Sequence, residues 1–256
     1  MLTGLAKQLV RTARSIINDR GYDLVRTMPR SILPSAGSLP ALLRHTLTAF
    51  SVEAVIDVGA NEGQFATFLR SMGYKGFIVF VEPAHQPFEL LAEKARNDGD
   101  WLAYQLAAGT TEGFAELQLA SMSELNSLQG MTEFGHQFFG GTTVRTGTER
   151  VQVVRLDQIL AEVFERRNIQ RALLKLDTQG WDLEAARGAE GLMDRIVAIQ
   201  TEISFQALYE KMPTFEESWS YFRDRGFEIL ALSPISIDYR SMILAEMDCL
   251  MVRPRA

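Results

Sequence analysis

The sequence of 256 residues has few of the side chains that bind metals or form disulfides. It contains one cysteine, Cys249, which excludes a disulfide within the chain and a metal site rich in cysteine. The three histidines, His45, His85 and His136, are too far apart in the sequence to suggest a zinc site. We therefore expect no metal centre. The lack of disulfides fits a reducing cytoplasm, although a secreted protein poor in cysteine would look the same.

Long apolar runs are also absent. No apolar stretch approaches the ~18 residues of a membrane-spanning helix, and the N-terminus lacks the apolar segment of a signal peptide. Hydrophobic residues make up 46% of the sequence and charged residues 23%, which is typical of a packed globular core. These features predict a soluble, cytoplasmic protein.

The chain also lacks an excess of basic residues. Its net charge is −6, whereas a nucleic-acid-binding protein needs positive charge to neutralise phosphates. We therefore predict no nucleic-acid partner.

Residues 1–30 depart from this charge balance, with six basic and two acidic side chains. Apolar residues recur at helical spacing over 2–26. Two interpretations stay open: a helix packed on the main domain, or a basic amphipathic helix peripherally bound to an anionic membrane or to a partner. We assign residues 1–50 to a helical N-terminal extension and 51–256 to the main domain. Homo-oligomerisation also stays open.

The sequence of the main domain predicts an α/β fold. Apolar runs at 54–58, 76–81, 102–107, 172–176 and 196–203 alternate with helical patterns. Such alternation is typical of a doubly wound, mostly parallel sheet with helices on both faces. Two closing strands, at 226–232 and 248–253, predict an antiparallel hairpin at the edge, giving about seven strands in all. A further strand is predicted at 114–119.

Residues 120–150 have a different composition, rich in glycine and polar residues and with three phenylalanines. Long loops in compact domains are often lids or binding loops. A binding loop and a surface excursion without function are both compatible with this segment.

Acidic residues stand at the ends of three predicted strands: Asp57, Glu82 and Asp177. The carboxyl ends of parallel strands form the edge where open α/β sheets bind ligands. Glu82 occupies the position from which an acid accepts hydrogen bonds from ribose hydroxyls. Gly59 and Gly63 allow a tight turn after the first strand, but the third glycine of the dinucleotide fingerprint is missing. A ligand without phosphates that carries an amino-acid moiety therefore suits this site better than NAD.

Four segments, at 56–65, 81–83, 174–182 and 200–204, resemble the FkbM family of S-adenosylmethionine-dependent methyltransferases. The most specific are Asp-Thr-Gln-Gly-Trp-Asp at 177–182 and Gln-Thr-Glu-Ile-Ser at 200–204, and Asn-Ser-Leu at 126–128 is similar to a segment common in the family. The resemblance extends over about residues 50–253.

The resemblance implies a Rossmann-like class I methyltransferase fold and methyl transfer to a hydroxyl of a sugar, glycolipid or glycosylated natural product. It also implies S-adenosylmethionine as cofactor and a small-molecule or glycan acceptor as partner. The residues that it places around the cofactor are Asp57, Gly59, Asn61, Phe65, Glu82, Ala107, Ala108 and Asp177.

A hydroxyl nucleophile calls for a general base. Asp177 is the first candidate, and Glu202 and His136 compete with it, the last because the pKa of histidine is ordinarily near neutrality. Each has an alternative role, since Asp177 could cap a helix and Glu202 could pair with Lys175. A loop histidine is more often simply solvated.

The acceptor is expected to contact Asp182, Trp181, Ser127 and Tyr209, the two aromatic rings by stacking on a sugar face. The acids at 177, 182 and 202 could hold Mg²⁺, but their spacing does not require it, and we predict no metal ligands. Two rival functions stay open: an NAD(P)-dependent oxidoreductase, and a non-catalytic cofactor-binding protein that docks on a partner.

Overall fold

The computed structural model describes residues 38–140 and 144–255. The helix predicted over 2–26 and the charged segment 1–30 lie outside these residues, so the predictions about membrane or partner contact stay predictions. From Leu43 onward the chain forms one compact unit. Within the described ranges, no helix is long and apolar enough to cross a membrane.

In the described residues the chain forms ten strands and seven α-helices. The strands are β1 (Ala54–Val58), β2 (Phe77–Val81), β3 (Trp101–Tyr104), β4 (Ala107–Ala108), β5 (Gly113–Ala120), β6 (Arg145–Val154), β7 (Ala172–Leu176), β8 (Ile196–Ser204), β9 (Glu228–Asp238) and β10 (Ile243–Val252). The helices are α1 (Leu39–Ala49), α2 (Gln64–Ser71), α3 (His85–Asn97), α4 (Glu133–Phe138), α5 (Leu156–Arg166), α6 (Asp182–Gly188) and α7 (Phe215–Arg223), with 3₁₀ turns at Ser123–Leu125 and Glu190–Arg195.

Seven strands form the main sheet in the order β3-β2-β1-β7-β8-β10-β9. The first five are parallel, and β10 is antiparallel to both of its neighbours. The predicted mostly parallel sheet with a closing antiparallel hairpin is therefore confirmed. The strand order reverses between β1 and β7, and in such sheets the crevice at this reversal is where ligands bind.

Three central strands show why the sequence folds in this way. All five residues of β1, β2 and β7 are buried, as expected of strands covered on both faces, and their sequences are almost continuously apolar. On one face, Leu156, Leu160 and Phe164 of α5 lie one helical turn apart and belong to the same core as Leu174 and Ile199. Burial of this apolar surface fixes the strands whose ends form the ligand site.

A second, three-stranded sheet corrects two predictions. Its order is β4-β6-β5, and β6 pairs antiparallel with β5 and parallel with β4. The third strand of the main sheet ends at Tyr104, so Ala107 and Ala108 belong to the second sheet. The prediction of a loop over 120–150 was wrong at its C-terminal end, because β6 begins at Arg145. The segment also contains the helix α4. The glycine and threonine residues of β6 made this segment resemble a loop. It is a strand because it pairs with residues far away in sequence.

The closing hairpin is longer than predicted. The prediction ended the first of its strands before Pro234, but β9 continues to Asp238 through a pairing of Pro234 with Met247. Proline is tolerated in edge strands, and β9 is the edge of the sheet. The extension brings Ile235, Ser236 and Glu246 to the ligand cavity.

Candidate active site

A cavity of about 650 Å³ lies at the carboxyl ends of β1, β2, β7 and β8. The residues after β1 and β2 line one end of it, and residues of β8, β9 and β10 line the other. Residues 123–128, which precede α4, also line it. Its size is in the range of small-molecule sites, which hold about 300–1,000 Å³.

The turn after β1 requires glycine because the chain passes very close to β7. Gly59 has φ +76°, and a Cβ atom there would lie 1.8 Å from the carbonyl oxygen of Asp177. Asn61 and Gly63 also adopt positive φ, at 48° and 81°. The side-chain amide of Asn61 donates a 3.0 Å hydrogen bond to Oγ of Ser123, which links this turn to the segment that borders the cavity.

Glu82 is held in place by backbone amides. The amide of Asn61 donates to its Oε2 and the amide of Ala84 to its Oε1, each at 2.8 Å. Burial raises the pKa of Glu82 to about 7, although both backbone hydrogen bonds oppose the rise. Each carboxylate oxygen retains acceptor capacity beyond its one backbone donor. Glu82 lines the cavity and can therefore accept hydrogen bonds from ligand hydroxyls.

Small apolar residues line the same part of the cavity. Ala107 and Ala108 lie there with Leu106 and Leu117, and both alanines are buried. The indole of Trp181 donates a 2.9 Å hydrogen bond to the carbonyl of Ala108. This fixes Trp181 against β4, beside a space that suits a flat ring. With the Gly59 turn and the fixed Glu82, these residues fit an adenosine-type ligand.

Asp57 and Lys175 form a buried ion pair behind the cavity wall. Asp57 is fully buried and does not line the cavity, and Nζ of Lys175 lies 3.2 Å from its Oδ1. The expected direct contact of Asp57 with a cofactor is thus corrected: Asp57 acts on the site by holding Lys175. Phe65 lines the cavity, with its ring centroid 5.3 Å from Nζ of Lys175.

Lys175 connects Asp57 to Asp177, whose Oδ2 lies 3.1 Å from Nζ. Burial lowers the pKa of Lys175, but the carboxylates of Asp177 and Asp57 outweigh it and raise the pKa above its usual value. The side chain is therefore an ammonium. The hypothesis that Glu202 pairs with Lys175 is corrected, because among the described residues the ion pairs of Lys175 are with these two aspartates.

Asp177 does not cap a helix. The following helix, α6, begins at Asp182, and no side chain caps its first turn. Asp182 instead binds inside the protein: one of its oxygens accepts from the amide of Thr178 at 2.7 Å and the other from Oγ1 of Thr201 at 2.9 Å. Asp182 is buried and does not line the cavity, so its predicted contact with the acceptor is corrected to a structural role.

Gln179 is a central residue that sequence reasoning missed. Its Nε2 donates to Oδ1 of Asp177 at 2.9 Å and to Oε2 of Glu202 at 3.3 Å, and its Oε1 accepts from the Tyr209 hydroxyl at 2.8 Å. Ser127 donates to its carbonyl at 2.6 Å. The available signal was its place in the Asp-Thr-Gln-Gly-Trp-Asp motif at 177–182, in which other residues were assigned roles.

Tyr209 and Ser127, both expected at the acceptor, support this network through hydrogen bonds to Gln179. Tyr209 is 1% exposed and does not line the cavity, so the expected stacking is corrected. Ser127 is also buried; it touches the cavity and binds Gln179. Trp181 does line the cavity, on the side of Ala108.

His136 lies away from the acids of the main cavity. It belongs to α4 and lines a separate cavity of about 210 Å³ together with Arg145 and Tyr209. It does not line the cavity that contains Asp177 and Glu202, and its candidacy as a base stays a prediction.

Glu202 faces the cavity at the end of β8. Burial raises the pKa of Glu202 well above its ordinary value, and the carboxylates of Asp177 and Glu246 raise it further. Asp248, directly opposite Glu202 in the β8–β10 register, also lines the cavity. No group of three or more histidine, cysteine, aspartate or glutamate side chains in the described part of the chain is arranged to hold a metal ion.

The fold and the site together define an α/β protein with a ligand cavity at the strand reversal of a parallel sheet, fitted to an adenosine-type ligand. The sequence model of the methyltransferase FkbM domain matches residues 57–229. The chain belongs to this methyltransferase family.

A search among curated proteins finds no significant match. Among solved structures, a methyltransferase FkbM from Methylobacillus flagellatus KT is similar at 12% identity and a TM-score of 0.45, over 77% of this chain and 43% of that one. This chain therefore spans less than half the length of that protein. An rRNA methylase from Streptococcus thermophilus shows 11% identity and a TM-score of 0.45, over 86% and 100% of the two chains. A SAM-dependent methyltransferase from Aquifex aeolicus shows 13% identity and a TM-score of 0.38, over 84% and 90%.

Proposed function

We propose that the protein is an S-adenosylmethionine-dependent O-methyltransferase that acts on a hydroxyl of a sugar, glycolipid or glycosylated natural product. One observation carries the proposal: two carboxylates from different strands, Glu82 after β2 and Glu202 of β8, line a single cavity. A donor site and an acceptor site in one cavity are what a direct transfer between two bound molecules needs.

The cofactor end is formed by the turn after β1, Glu82 and the two alanines of β4. Glu82 would accept hydrogen bonds from the ribose hydroxyls, and Ala107 and Ala108 would flank the adenine. When bound, the cofactor would supply an electrophilic methyl group. Phe65 and the Gly59–Asn61 turn would border its amino-acid moiety.

Glu202 is the proposed general base. Its raised pKa means that it binds a proton more readily than an ordinary carboxylate, which suits acceptance of the hydroxyl proton. Asp177, the first candidate from the sequence, has both oxygens engaged, by Lys175 at 3.1 Å and by Gln179 at 2.9 Å. Because both oxygens already have partners within the protein, we assign Asp177 to positioning.

The proton balance of the step is simple. Glu202 would accept the proton of the acceptor hydroxyl, and the cofactor, held by Glu82 and the turn after β1, would supply the methyl group and leave as the neutral thioether. Gln179 would hold Glu202 through the 3.3 Å hydrogen bond to Oε2. No metal is needed for this balance.

Two measurements test the proposal on the full chain. Calorimetry with S-adenosylmethionine, S-adenosylhomocysteine and NAD decides the cofactor; binding of NAD without binding of either adenosyl compound would support the oxidoreductase. Transfer of a labelled methyl group to a panel of glycans decides the reaction. Tight S-adenosylmethionine binding without transfer to any glycan would favour a non-catalytic cofactor-binding protein.

Partners and location follow the same proposal. A small-molecule or glycan acceptor is the proposed partner, and a cytoplasmic location supplies the cofactor. Peripheral membrane contact, a partner for residues 1–30 and homo-oligomerisation remain predictions from the sequence.

A further inference from the structure

The end of the cavity opposite Glu82 is built almost entirely from hydrogen-bond acceptors. Gln200 and Glu202 of β8 and Glu246 and Asp248 of β10 line it, and we name these four residues the acceptor wall. In the β8–β10 pairing, Asp248 stands opposite Glu202, and Glu246 stands opposite Ser204. Three carboxylates thus lie on neighbouring strands within one small region.

Neutral groups are the partners of these carboxylates within the protein. Glu246 accepts hydrogen bonds from Oγ of Ser204 and Oγ of Ser236, both at 3.0 Å. Glu202 accepts from Nε2 of Gln179 at 3.3 Å. No ion pair to a carboxylate of the acceptor wall occurs among residues 38–140 and 144–255.

The basic side chain nearest to this end is already engaged. Lys175 is the one lysine or arginine among the described residues that line the cavity, and its ammonium lies 3.2 Å from Asp57 and 3.1 Å from Asp177. A negatively charged acceptor, such as a sugar phosphate or RNA, would therefore meet carboxylates without a free cation to offset them.

An independent observation concerns Gln200. Its side chain is more than nine-tenths buried, at 8% exposure, and its Oε1 has no hydrogen-bond partner in the described chain. A buried acceptor without a donor costs free energy, which shows that the surroundings of Gln200 are short of hydrogen-bond donors. The wall therefore lacks free hydrogen-bond donors and positive charge, since the side-chain amide of Gln200 is engaged by Asp248. A hydroxyl supplies only the first, whereas an ammonium supplies both.

We propose that the acceptor carries a protonated amine, as an amino sugar does, and that the acceptor wall binds this ammonium through Glu246 and Asp248. The hydroxyl to be methylated then lies next to Glu202. This inference rests on the proposed function for the identity of the site, and it names the class of acceptor.

The raised pKa values of the wall carboxyl groups support the binding of an ammonium. They also supply a readout that does not depend on turnover, the release of protons on binding. Burial raises the pKa of Glu246, and hydrogen bonds from the two serines oppose the rise. Burial likewise raises the pKa of Asp248, against a hydrogen bond from Gln200. A bound ammonium favours the charged carboxylates and lowers these pKa values. Binding of an amine should therefore release protons from the protein at pH values where these two carboxyl groups are still partly protonated.

The test is calorimetry on the full chain with three probes: glucosamine, N-acetylglucosamine and glucose. Each is titrated with and without saturating S-adenosylhomocysteine, in two buffers of different ionisation enthalpy. We expect glucosamine to bind about tenfold tighter than the two neutral sugars, with proton release for glucosamine alone. Equal or tighter binding of N-acetylglucosamine would overturn the proposal.

Two variants and a control assign the effect to the wall. Glu246→Gln and Asp248→Asn should each reduce the preference for glucosamine to near parity with glucose, while affinity for S-adenosylhomocysteine and the melting temperature stay close to wild type. Glu116→Gln changes an exposed carboxylate of β5 outside the cavity and should keep the full preference. A preference that persists in both wall variants would contradict the assignment.

The outcomes separate this proposal from the function on which it rests. Binding of S-adenosylhomocysteine without a preference for the amine would reject the amine acceptor and retain the methyltransferase. A preference for the amine without any binding of S-adenosyl compounds would retain the amine site and reject the proposed cofactor.

Discussion

Asp57 and Lys175 occupy directly paired positions of β1 and β7, and their side chains form an ion pair of 3.2 Å behind the cavity wall. Asp57 is fully buried, so the pair is largely removed from water. Removing one member of such a pair leaves a buried charge uncompensated, which typically costs about 3–5 kcal/mol.

Lys175→Met leaves Asp57 buried without its partner and should therefore lower the free energy of unfolding by about 3 kcal/mol, measured by urea denaturation. Asp57→Asn should cost less, because Lys175 keeps its 3.1 Å contact with Asp177. The double variant Asp57→Asn/Lys175→Met should lose clearly less than the sum of the two, because no unpaired charge remains between them. Strict additivity would show that the two side chains do not stabilise each other.

The close approach of Gly59 to Asp177 gives a second test. Gly59→Ala adds a Cβ atom 1.8 Å from a backbone oxygen, at φ +76°. Gly73 is a matched control, since it has φ +88° but no atom within 4 Å of an added Cβ. Gly73→Ala should cost about 1–2 kcal/mol from backbone strain alone. Gly59→Ala should cost clearly more and weaken S-adenosylhomocysteine binding; equal costs for the two variants would contradict the close approach.

This contrast shows which parts of the site the sequence could predict. Gly59 and Glu82 follow short, continuously apolar strands, so the strand ends and the residues just beyond them are encoded locally. The role of Gln179 could not be predicted in the same way, because its partners Glu202 and Tyr209 come from segments more than twenty residues away. Their proximity depends on which strands become neighbours.

The same distinction applies to the fold. The five parallel strands follow from apolar runs and their spacing, whereas β6 is polar on its exposed face and is defined by its pairing with β5 and β4. The length of β9 depends on its edge position, which tolerates Pro234. Both errors concern structure stabilised by distant partners. The acceptor wall could therefore not be predicted in full, since Glu246 belongs to an extension of the hairpin that was not predicted.

The raised pKa of Glu82 predicts a pH-dependent affinity for S-adenosylhomocysteine. A carboxylate accepts hydrogen bonds from hydroxyls better when it is charged. Because the pKa of Glu82 is raised from 4.5 to about 7, the charged form increases as the pH rises through 7. Binding should therefore strengthen between pH 6 and 8 and then level off.

Two variants of Glu82 check this by calorimetry over the same range. Glu82→Gln should weaken binding about tenfold or more at pH 8 and remove the rise with pH. Glu82→Ala should weaken binding further. A pH profile that is identical in wild type and in Glu82→Gln would assign the titration to another group.

The contribution of Glu82 to stability depends on pH in the opposite direction to its contribution to ligand binding. Between pH 4.5 and about 7 the folded protein keeps a proton on Glu82 that the unfolded chain has released. This contribution to the free energy of unfolding is therefore present at low pH and decreases as the pH rises through this window. The difference between wild type and Glu82→Gln in chemical denaturation across this range measures it.

The network around Gln179 predicts a positioning effect. Gln179→Leu removes the hydrogen bonds to Asp177, Glu202 and Tyr209 and should lower kcat about 10- to 100-fold with a smaller change in cofactor affinity. Tyr209→Phe removes only the 2.8 Å hydrogen bond to Oε1 of Gln179 and serves as the matched partial variant. The kcat of Tyr209→Phe should lie between that of the wild type and that of Gln179→Leu. If Tyr209→Phe lost as much turnover as Gln179→Leu, the tyrosine would have to act on the reaction other than through Gln179.

The assignment of the base leads to the most direct comparison, between Glu202→Gln and Asp177→Asn. Glu202→Gln removes the proposed proton acceptor but keeps its shape, so kcat should fall about 10²- to 10⁴-fold, with affinity for S-adenosylhomocysteine unchanged. Asp177→Asn removes the negative charge beside Lys175 and one of the two oxygens that bind Lys175 and Gln179, so both kcat and affinity should fall. Because the pKa of Glu202 is raised, wild-type kcat should increase with pH as this group loses its proton, and Glu202→Gln should lack that step. The reverse pattern, a loss of turnover alone in Asp177→Asn and a retained pH step in Glu202→Gln, would make Asp177 the base and Glu202 a residue of the acceptor site.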